Sequence, residues 1–311
     1  MGIKNYSIYI SAKRSIKRWA QQQSKDKTVI IYAMFYNYMQ AVISVKKKYP
    51  ELKICLIVLD LPEYFDDEKG FKYRILNFYA KKSYNLLNYV DSYILLTKYM
   101  VKPLNIGNKP WLLLEGVYSD KNEISSPIKK GEDRTILYTG KLDARFGISD
   151  LLIAFNKIKD NSYQLWICGD GSAKSEVEKF VSLDCRIKYL GLLRREEVVV
   201  LQRKARLLIN PRRPDEEYTK YSFPSKTMEY MASGTPTIMY KLPGIPDEYL
   251  EFLGIIPDDS IDSLCDTIIE WCEKSTDELQ VLGQKARNFI LQNKNSEIQA
   301  QRILDFIKII P

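Results

Sequence analysis

Arg212, Arg213, Lys220 and Lys226 crowd one stretch of the chain, LLINPRRPDEEYTKYSFPSKTMEYMASGTPTIMYKLPGIPDEY, residues 207–249. Its first residues are apolar and stop at Asn210-Pro211, which predicts a buried strand running into a loop. Met228, Met231 and Ala232 then recur at helical spacing until Gly234. Ser222 or Ser225 can cap that helix, and Pro224 suits its first turn. A second strand is expected over 235–240. The cations therefore gather at a helix N-terminus, where unpaired N–H groups and the positive end of the dipole favour an anion. Glu229 lies one turn further in, on the face of Ser225 and Lys226, where a carboxylate can accept hydrogen bonds from ribose hydroxyls. Phosphate at the helix end and sugar one turn above it point to a nucleotide. An ordinary strand–helix–strand unit with a capped helix carries the same pattern.

The elements around that stretch read as a repeated βα rhythm in two halves. A short strand is expected over 5–10 and a basic helix over 11–23, SAKRSIKRWAQQQ, with Ile16 and Trp19 on one side; such a helix suits either solvent or an anionic bilayer. Residues 28–45 carry no charge and precede three lysines, the outline of a membrane span. Asn37, Gln40 and Ser44 dilute the run, and a buried strand to Phe35 with an amphipathic helix from Asn37 explains it better. LKICLIVLD, 52–60, is the unbroken apolar run of a central parallel strand. It ends in Asp60-Leu61-Pro62-Glu63, and in open α/β sheets ligands sit at the carboxyl ends of strands. Asp60 and Glu63 thus face a site, or Asp60 merely caps the following turn. A long helix over 68–89, a strand in DSYILLTKYM and another over 110–115 follow. The polar, aperiodic run 118–133 reads as a linker between two domains.

After the linker, ILYTGKLDARFGISDLLIAF gives a strand ending in Gly140, a short loop and a helix from Ile148. YQLWICGDGS gives a strand and a Gly169-Asp170-Gly171 turn, and RIKYLGLL a strand ending in Gly191; a lone GxG is weak evidence of nucleotide contact. A helix over 194–204 leads back to the central stretch. Beyond Tyr249 the chain is expected to be helical, over 260–273, 276–292 and 296–308.

The stretch SFPSKTMEYMASGTPTI resembles the donor-binding helix of family 4 glycosyltransferases, in which two glutamates separated by seven residues hold the sugar and the ribose of a nucleotide-sugar. Glu229 matches the second glutamate; the first falls on Tyr221, where this chain departs from the pattern. YSFPSK is closer still to a subgroup of bacterial polysaccharide synthesis. The family's Gly-Arg-Leu, three residues, Lys-Gly pattern is matched at Gly140 by Lys141 in the Arg position and Phe146 in the Lys position, with Arg145 beside it as the substitute cation. Two cations suit a pyrophosphate leaving group, whose oxygens gain charge as the glycosidic bond breaks. The resemblance, specific over about 135–250, places the second donor-side loop at Gly169 and Gly171 and the base near Gly191. It implies two Rossmann-like α/β domains facing a cleft (the GT-B fold): an acceptor domain over 1–120, a donor domain over 134–290, and a C-terminal helix, 291–311, returning to the first.

By that resemblance the activity is retaining transfer of a sugar from a nucleoside diphosphate to a hydroxyl acceptor in bacterial surface polysaccharide synthesis. Arg212, Ser222, Phe223, Pro224, Ser225, Lys226 and Glu229 would bind the donor; Asp60, Glu63 and Tyr221 would be the catalytic positions, Asp60 or Glu63 serving where the family has a histidine, unless nothing serves there. The partners implied are a nucleotide-sugar donor, a carbohydrate or lipid-linked sugar acceptor and the inner face of the cell membrane, with no nucleic acid and no cofactor, in the cytoplasm. The first domain reaches its Asp60 turn early for this family, so the front of that domain is expected to be missing, leaving an unpaired strand edge.

Composition narrows the chemistry. The chain has 311 residues, enough for about two domains, is 45% apolar and has a net charge of +8, which favours anionic partners. It contains no histidine, which removes Ser-His-Asp, Cys-His and most zinc chemistry. The five cysteines are scattered without a CxxC and read as reduced core residues. No Asp-x-Asp is present, so a metal-independent site is expected. A binding protein of the same fold, without turnover because Tyr221 replaces a glutamate, is the main rival. An NAD-dependent enzyme is disfavoured because no GxGxxG follows the first strand.

Overall fold

The computed structural model describes residues 3–22, 27–62, 71–119 and 134–310, and the chain forms two compact units. Both are parallel sheets flanked by helices, so the protein is α/β with two Rossmann-like units.

The first unit comprises Met1–Gly116, Lys220–Phe223 and Gln299–Pro311. Its strands β1 (Thr28–Tyr32), β2 (Lys53–Val58), β3 (Ser92–Leu95) and β4 (Trp111–Leu113) lie in that order, all parallel, with β1 at an edge. On one face Ile54, Leu56, Val58, Tyr93 and Leu95 pack under α2 (Tyr36–Lys46). Helix α1 (Ile3–Gln22) packs along α2 and adds Ile16 and Trp19 to the same core. On the other face Cys55, Ile94 and Leu114 meet Phe306 and Ile310, from the end of the chain. The expected strand over 5–10 is instead the first half of α1. Its Tyr and Ile residues have strand propensity, and packing along α2 overrides it. Residues 28–45 divide into β1 and α2, and no helix among the described residues is long and apolar enough to cross a membrane. The helix expected over 68–89 is α3 (Phe71–Tyr84) followed by a separate turn, Leu87–Tyr89.

The second unit comprises Val117–Thr219 and Pro224–Ile298. Its strands are β5 (Arg134–Thr139), β6 (Tyr163–Cys168), β7 (Ile187–Gly191), β8 (Leu207–Asn210), β9 (Thr237–Tyr240) and β10 (Gly254–Ile256), in spatial order β10-β9-β8-β5-β6-β7 and all parallel. The order reverses between β5 and β8, which opens a crevice at their carboxyl ends. The helices are α4 (Ile148–Lys157), α5 (Lys174–Leu183), α6 (Arg195–Lys204), α7 (Ser225–Ser233), α8 (Ile261–Glu273), α9 (Thr276–Asn293) and α10 (Ser296–Lys308), the last continuing into the first unit. The serines before α8 and α9 cap them: Ser260 accepts from the Ser263 N–H, and Ser275 forms a reciprocal box with Glu278. β10 breaks the expectation of an all-helical end, being too short an edge strand to show a period. The linker expected over 118–133 lies mostly outside the described residues; Tyr118, at its start, donates its N–H to the Lys294 carbonyl at 2.8 Å.

Candidate functional site

Four parallel strands of the second unit deliver their loops to one edge. The Gly140 N–H donates to the Cys168 carbonyl at 3.0 Å, that of Leu142 to Asp170 at 2.9 Å and that of Gly169 to Gly191 at 2.9 Å. The loops after β5, β6 and β7 are thus stitched backbone to backbone. Gly169 makes this possible: at φ +147° a Cβ would stand 1.8 Å from the Gly140 carbonyl oxygen. Gly147, at the head of α4, presses in the same way on the Pro211 carbonyl of the loop after β8. Gly140, Lys141, Gly169, Gly171 and Gly191 are therefore brought into one cluster. The Gly140 and Gly169 N–H groups are engaged by neighbouring loops, and that of Gly171 donates to Asp170 Oδ1.

The cations of these loops have partners that their spacing does not announce. Arg145 grips Asp143 through Nε and Nη2 at 3.2 and 3.0 Å, and this hydrogen bonding lowers the Asp143 pKa. Arg213 pairs with Asp150 in the first turn of α4 at 2.6 Å. Arg212 is only 7% exposed and lies 4.2 Å from the ring of Tyr218 and 5.6 Å from that of Phe146. Burial lowers its pKa, and Tyr218 partly offsets that. Lys141 is exposed to solvent at the loop tip.

Helix α7 carries the next group. Pro224 itself takes the N-cap position and Ser225 is the first helical residue, so neither Ser222 nor Ser225 caps the helix through its side chain. Gly234, at φ +80°, ends it. Lys226 donates to Glu229 Oε2 at 2.7 Å, one turn along the same face. Both line a cavity of about 340 Å³ between α6 and α7, with Leu193 and Arg195 at the start of α6 and Gln202 further along it. Gln202 is 2% exposed, and its Nε2 has no hydrogen-bond partner among the described residues. Tyr230 anchors the helix from behind: its hydroxyl accepts from the Thr139 N–H at 2.8 Å and donates to the Thr139 carbonyl at 3.0 Å, tying α7 to the end of β5. Neither Tyr230 nor Gln202 is marked by the sequence, since each sits in an ordinary helical pattern.

The remaining candidates lie in the first unit. Lys220–Phe223 belongs to it: the Lys220 carbonyl accepts from Thr97 Oγ1 at 2.7 Å, and the partly buried Tyr221 ring packs on the Ile54–Leu95 core. Phe223 is buried. Asp60 follows β2, and its side chain reaches solvent although the protein around the carboxyl pushes its pKa up by desolvation. Glu63 lies outside the described residues. Cys55, Cys168, Cys265 and Cys272 are buried as expected, whereas Cys185 is exposed, because it sits in the turn between α5 and β7.

The stretch 133–274 matches the family described as glycosyl transferases group 1. The fold agrees. The chain is similar to sucrose-phosphate synthase from Thermosynechococcus elongatus, with a TM-score of 0.68 at 15% identity over 95% of this chain and 76% of that one. It is similar to TarM of S. aureus in complex with UDP, with a TM-score of 0.63 at 16% identity over 94% of this chain. It is also similar to the pneumococcal O-GlcNAc transferase GtfA in complex with UDP and GlcNAc, with a TM-score of 0.62 at 12% identity over 95% of this chain. The chain spans 58% of the TarM chain and 59% of the GtfA chain. No curated protein matches the sequence significantly. These neighbours are GT-B glycosyltransferases, and the two Rossmann-like units fit that fold.

Proposed function

We propose that the chain transfers a sugar from a nucleoside-diphosphate donor to a hydroxyl acceptor with retention of configuration, in the assembly of a bacterial surface polysaccharide. The observation that carries this reading is the placing of Glu229 and Lys226 together in the cavity beside α6, one turn into the helix that follows β8, within the group 1 glycosyltransferase stretch. Glu229 would hold the ribose, with the base towards Gly191 and Leu193. Lys141 and Arg145, with Arg212, the segment Ser222, Phe223, Pro224 and Ser225, and Lys226, would hold the diphosphate and sugar. Gly140, Gly169 and Gly171 let their loops close on it.

As the bond from the anomeric carbon to the phosphate oxygen breaks, the acceptor oxygen bonds to that carbon on the same face. The acceptor proton passes to the departing phosphate oxygen, so no strong protein base is needed. Asp60 or Glu63 would orient the acceptor hydroxyl, and Lys141 and Arg145 would supply the charge that a metal supplies elsewhere. Tyr221 stands where the family has a glutamate. The exposed Arg14, Lys17 and Arg18 of α1 would rest on the anionic inner face of the membrane. Because two neighbours are solved with UDP, UDP-sugars are the first donors to test.

Tyr221 favours a second reading, a sugar-nucleotide-binding protein without turnover, since its ring is packed into a core and offers no carboxylate. Titration with UDP and GDP by calorimetry, followed by release of sugar from labelled donor, separates the two. Binding with turnover supports transfer, binding without turnover supports the second reading, and no binding of either nucleotide refutes both.

A further inference from the structure

Charge is divided unevenly along the chain. Residues 1–116 hold 19 Lys and Arg against 9 Asp and Glu, a net +10, whereas residues 117–311 hold 28 against 30, a net −2. The excess is gathered in one layer. Helices α1, α2 and α3 together carry ten Lys or Arg and no Asp or Glu, while each helix from α4 to α10 carries at least one acid. All three sit on the same face of the first unit's sheet: Ile16 and Trp19 of α1, Met39 and Val42 of α2 and Tyr84 of α3 share its core. The sides turned away from that core therefore form one outer surface, with α2 in the middle.

Cations and aromatic rings are exposed on that surface together. On α3, Arg74, Phe78, Lys81 and Lys82 are exposed and fall within about 100° of the helix circumference. On α1, the exposed Arg14, Lys17 and Arg18 fall within a sector of the same width. Phe78 is 54% exposed and Tyr38, on α2, 45%, although rings on a packed helix ordinarily turn inward. The Lys82 ammonium stands 4.4 Å from the centre of the Phe78 ring, so cation and ring are presented side by side. Like charges with no acid on their own helices repel one another, and an anionic surface offsets that repulsion. A nucleic-acid duplex would engage the cations and leave the rings idle, since its bases are reached only through grooves. A phospholipid interface uses both: phosphates meet the cations, and the rings lie at headgroup level.

We infer that the whole outer face of α1, α2 and α3 docks on an anionic phospholipid surface, with Tyr38 and Phe78 entering the headgroup layer and Arg74, Lys81 and Lys82 of α3 binding phosphate beside the cations of α1. This rests on the membrane setting proposed above, and it deepens that reading by making α3 and the two rings part of the contact.

The test uses the full chain and co-flotation with vesicles of phosphatidylcholine alone or mixed three to one with phosphatidylglycerol. The mixed vesicles should bind at least about tenfold more tightly, and salt of about 0.5 M should release most of the protein. Lys81→Gln with Lys82→Gln should weaken binding by about twentyfold, at roughly fivefold for each cation near the surface. Phe78→Ser and Tyr38→Ser should each weaken it by about tenfold. All are exposed positions, and an unchanged Tm shows that the fold is spared. Leu183→Ser, at an exposed apolar position of the second unit, should change nothing. Equal binding to both vesicles, no binding at millimolar lipid, tighter binding to a short DNA duplex, an equal loss with Leu183→Ser, or binding indifferent to the α3 and Tyr38 variants would each overturn the inference; the last result would confine the contact to α1. UDP is titrated in parallel. Loss of UDP binding with vesicle binding intact would defeat the transfer reading alone, and the reverse would defeat the docking face alone.

Discussion

Replacing Glu229 by glutamine changes one charge and almost no volume, so it isolates what the carboxylate does. Glu229 and Lys226 are partly exposed, with side-chain accessibilities of 34% and 41%, and make an i,i+3 pair. Breaking such a pair costs the fold only about 0.3–0.5 kcal/mol. For a unit of this size that is a fall in Tm of roughly 1–2 °C. The ligand should feel far more. A ribose diol donating to a carboxylate is a charge-assisted pair, worth about 1.5–3 kcal/mol, so uridine should bind on the order of tenfold to a hundredfold more weakly. UDP should lose less than uridine, because the Lys226 ammonium, released from Glu229, becomes available to phosphate. The 2′,3′-dideoxy analogue of UDP should bind the wild type weakly and be nearly indifferent to the substitution. Calorimetry on the three ligands with both proteins gives the cycle. Equal losses for UDP and its dideoxy analogue, or unchanged uridine affinity, would show that Glu229 does not hold the ribose.

Gly169→Ala should destabilise the second unit by more than about 3 kcal/mol, since the clash is with backbone and no side chain can yield, whereas Gly140→Ala, whose Cβ meets the Tyr138 side chain with its hydroxyl nearest at 3.2 Å, should cost under about 1 kcal/mol. Denaturant titration of both variants decides; similar losses would mean the loops can part. Asp184 is bound by Arg186 through Nη2 at 2.7 Å, and that hydrogen bond holds its pKa below the usual carboxylate range. A depressed pKa contributes stability above the unfolded value, near pH 4, that is lost as pH falls through the folded one. Asp184→Asn should therefore lower the Tm at pH 7 by an amount set by about 1 kcal/mol after screening, and the gap to wild type should close towards pH 3; a gap independent of pH would contradict this. Of the five thiols, Cys185 alone should react quickly with Ellman's reagent in the folded chain, because burial encloses the others and pushes Cys168 to about 11 and Cys272 to about 12. Several fast thiols would show a looser core.

The elements that were legible are those whose period is long or whose ends carry a chemical signal. Helix α7 is announced by Met228, Met231 and Gly234, and the helices expected over 260–273 and 276–292 are α8 and α9, whose capping serines show only in the structure. Misreadings came where a local preference met a tertiary partner: the Tyr and Ile residues of 5–10 favour a strand until α2 is there to pack on, and β10 is only three residues long. In the site, the i,i+3 spacing already put Lys226 and Glu229 on one face. Pairings across loops were not readable. Nothing in the order of residues says that Arg145 will turn back on Asp143, that Arg212 will lie against Tyr218, or that Gln202 will reach a cavity shared with Glu229. Those contacts depend on where separate strands end in space.

The first unit is assembled from distant pieces of chain, and this bears on the order in which the protein is made. Cys55, Ile94 and Leu114 wait for Phe306 and Ile310 to cover them. The ribosome supplies those residues about 190 positions later, roughly 10–40 s after Leu114 at ordinary rates of synthesis. Throughout that interval one face of the four-stranded sheet is bare, while the strands and helices of the second unit emerge in nearly unbroken succession and can close on themselves first. A nascent chain of this kind offers a chaperone a long-lived apolar target, and a ribosome stalled just before Phe306 would release a protein whose second unit is folded and whose first is sticky.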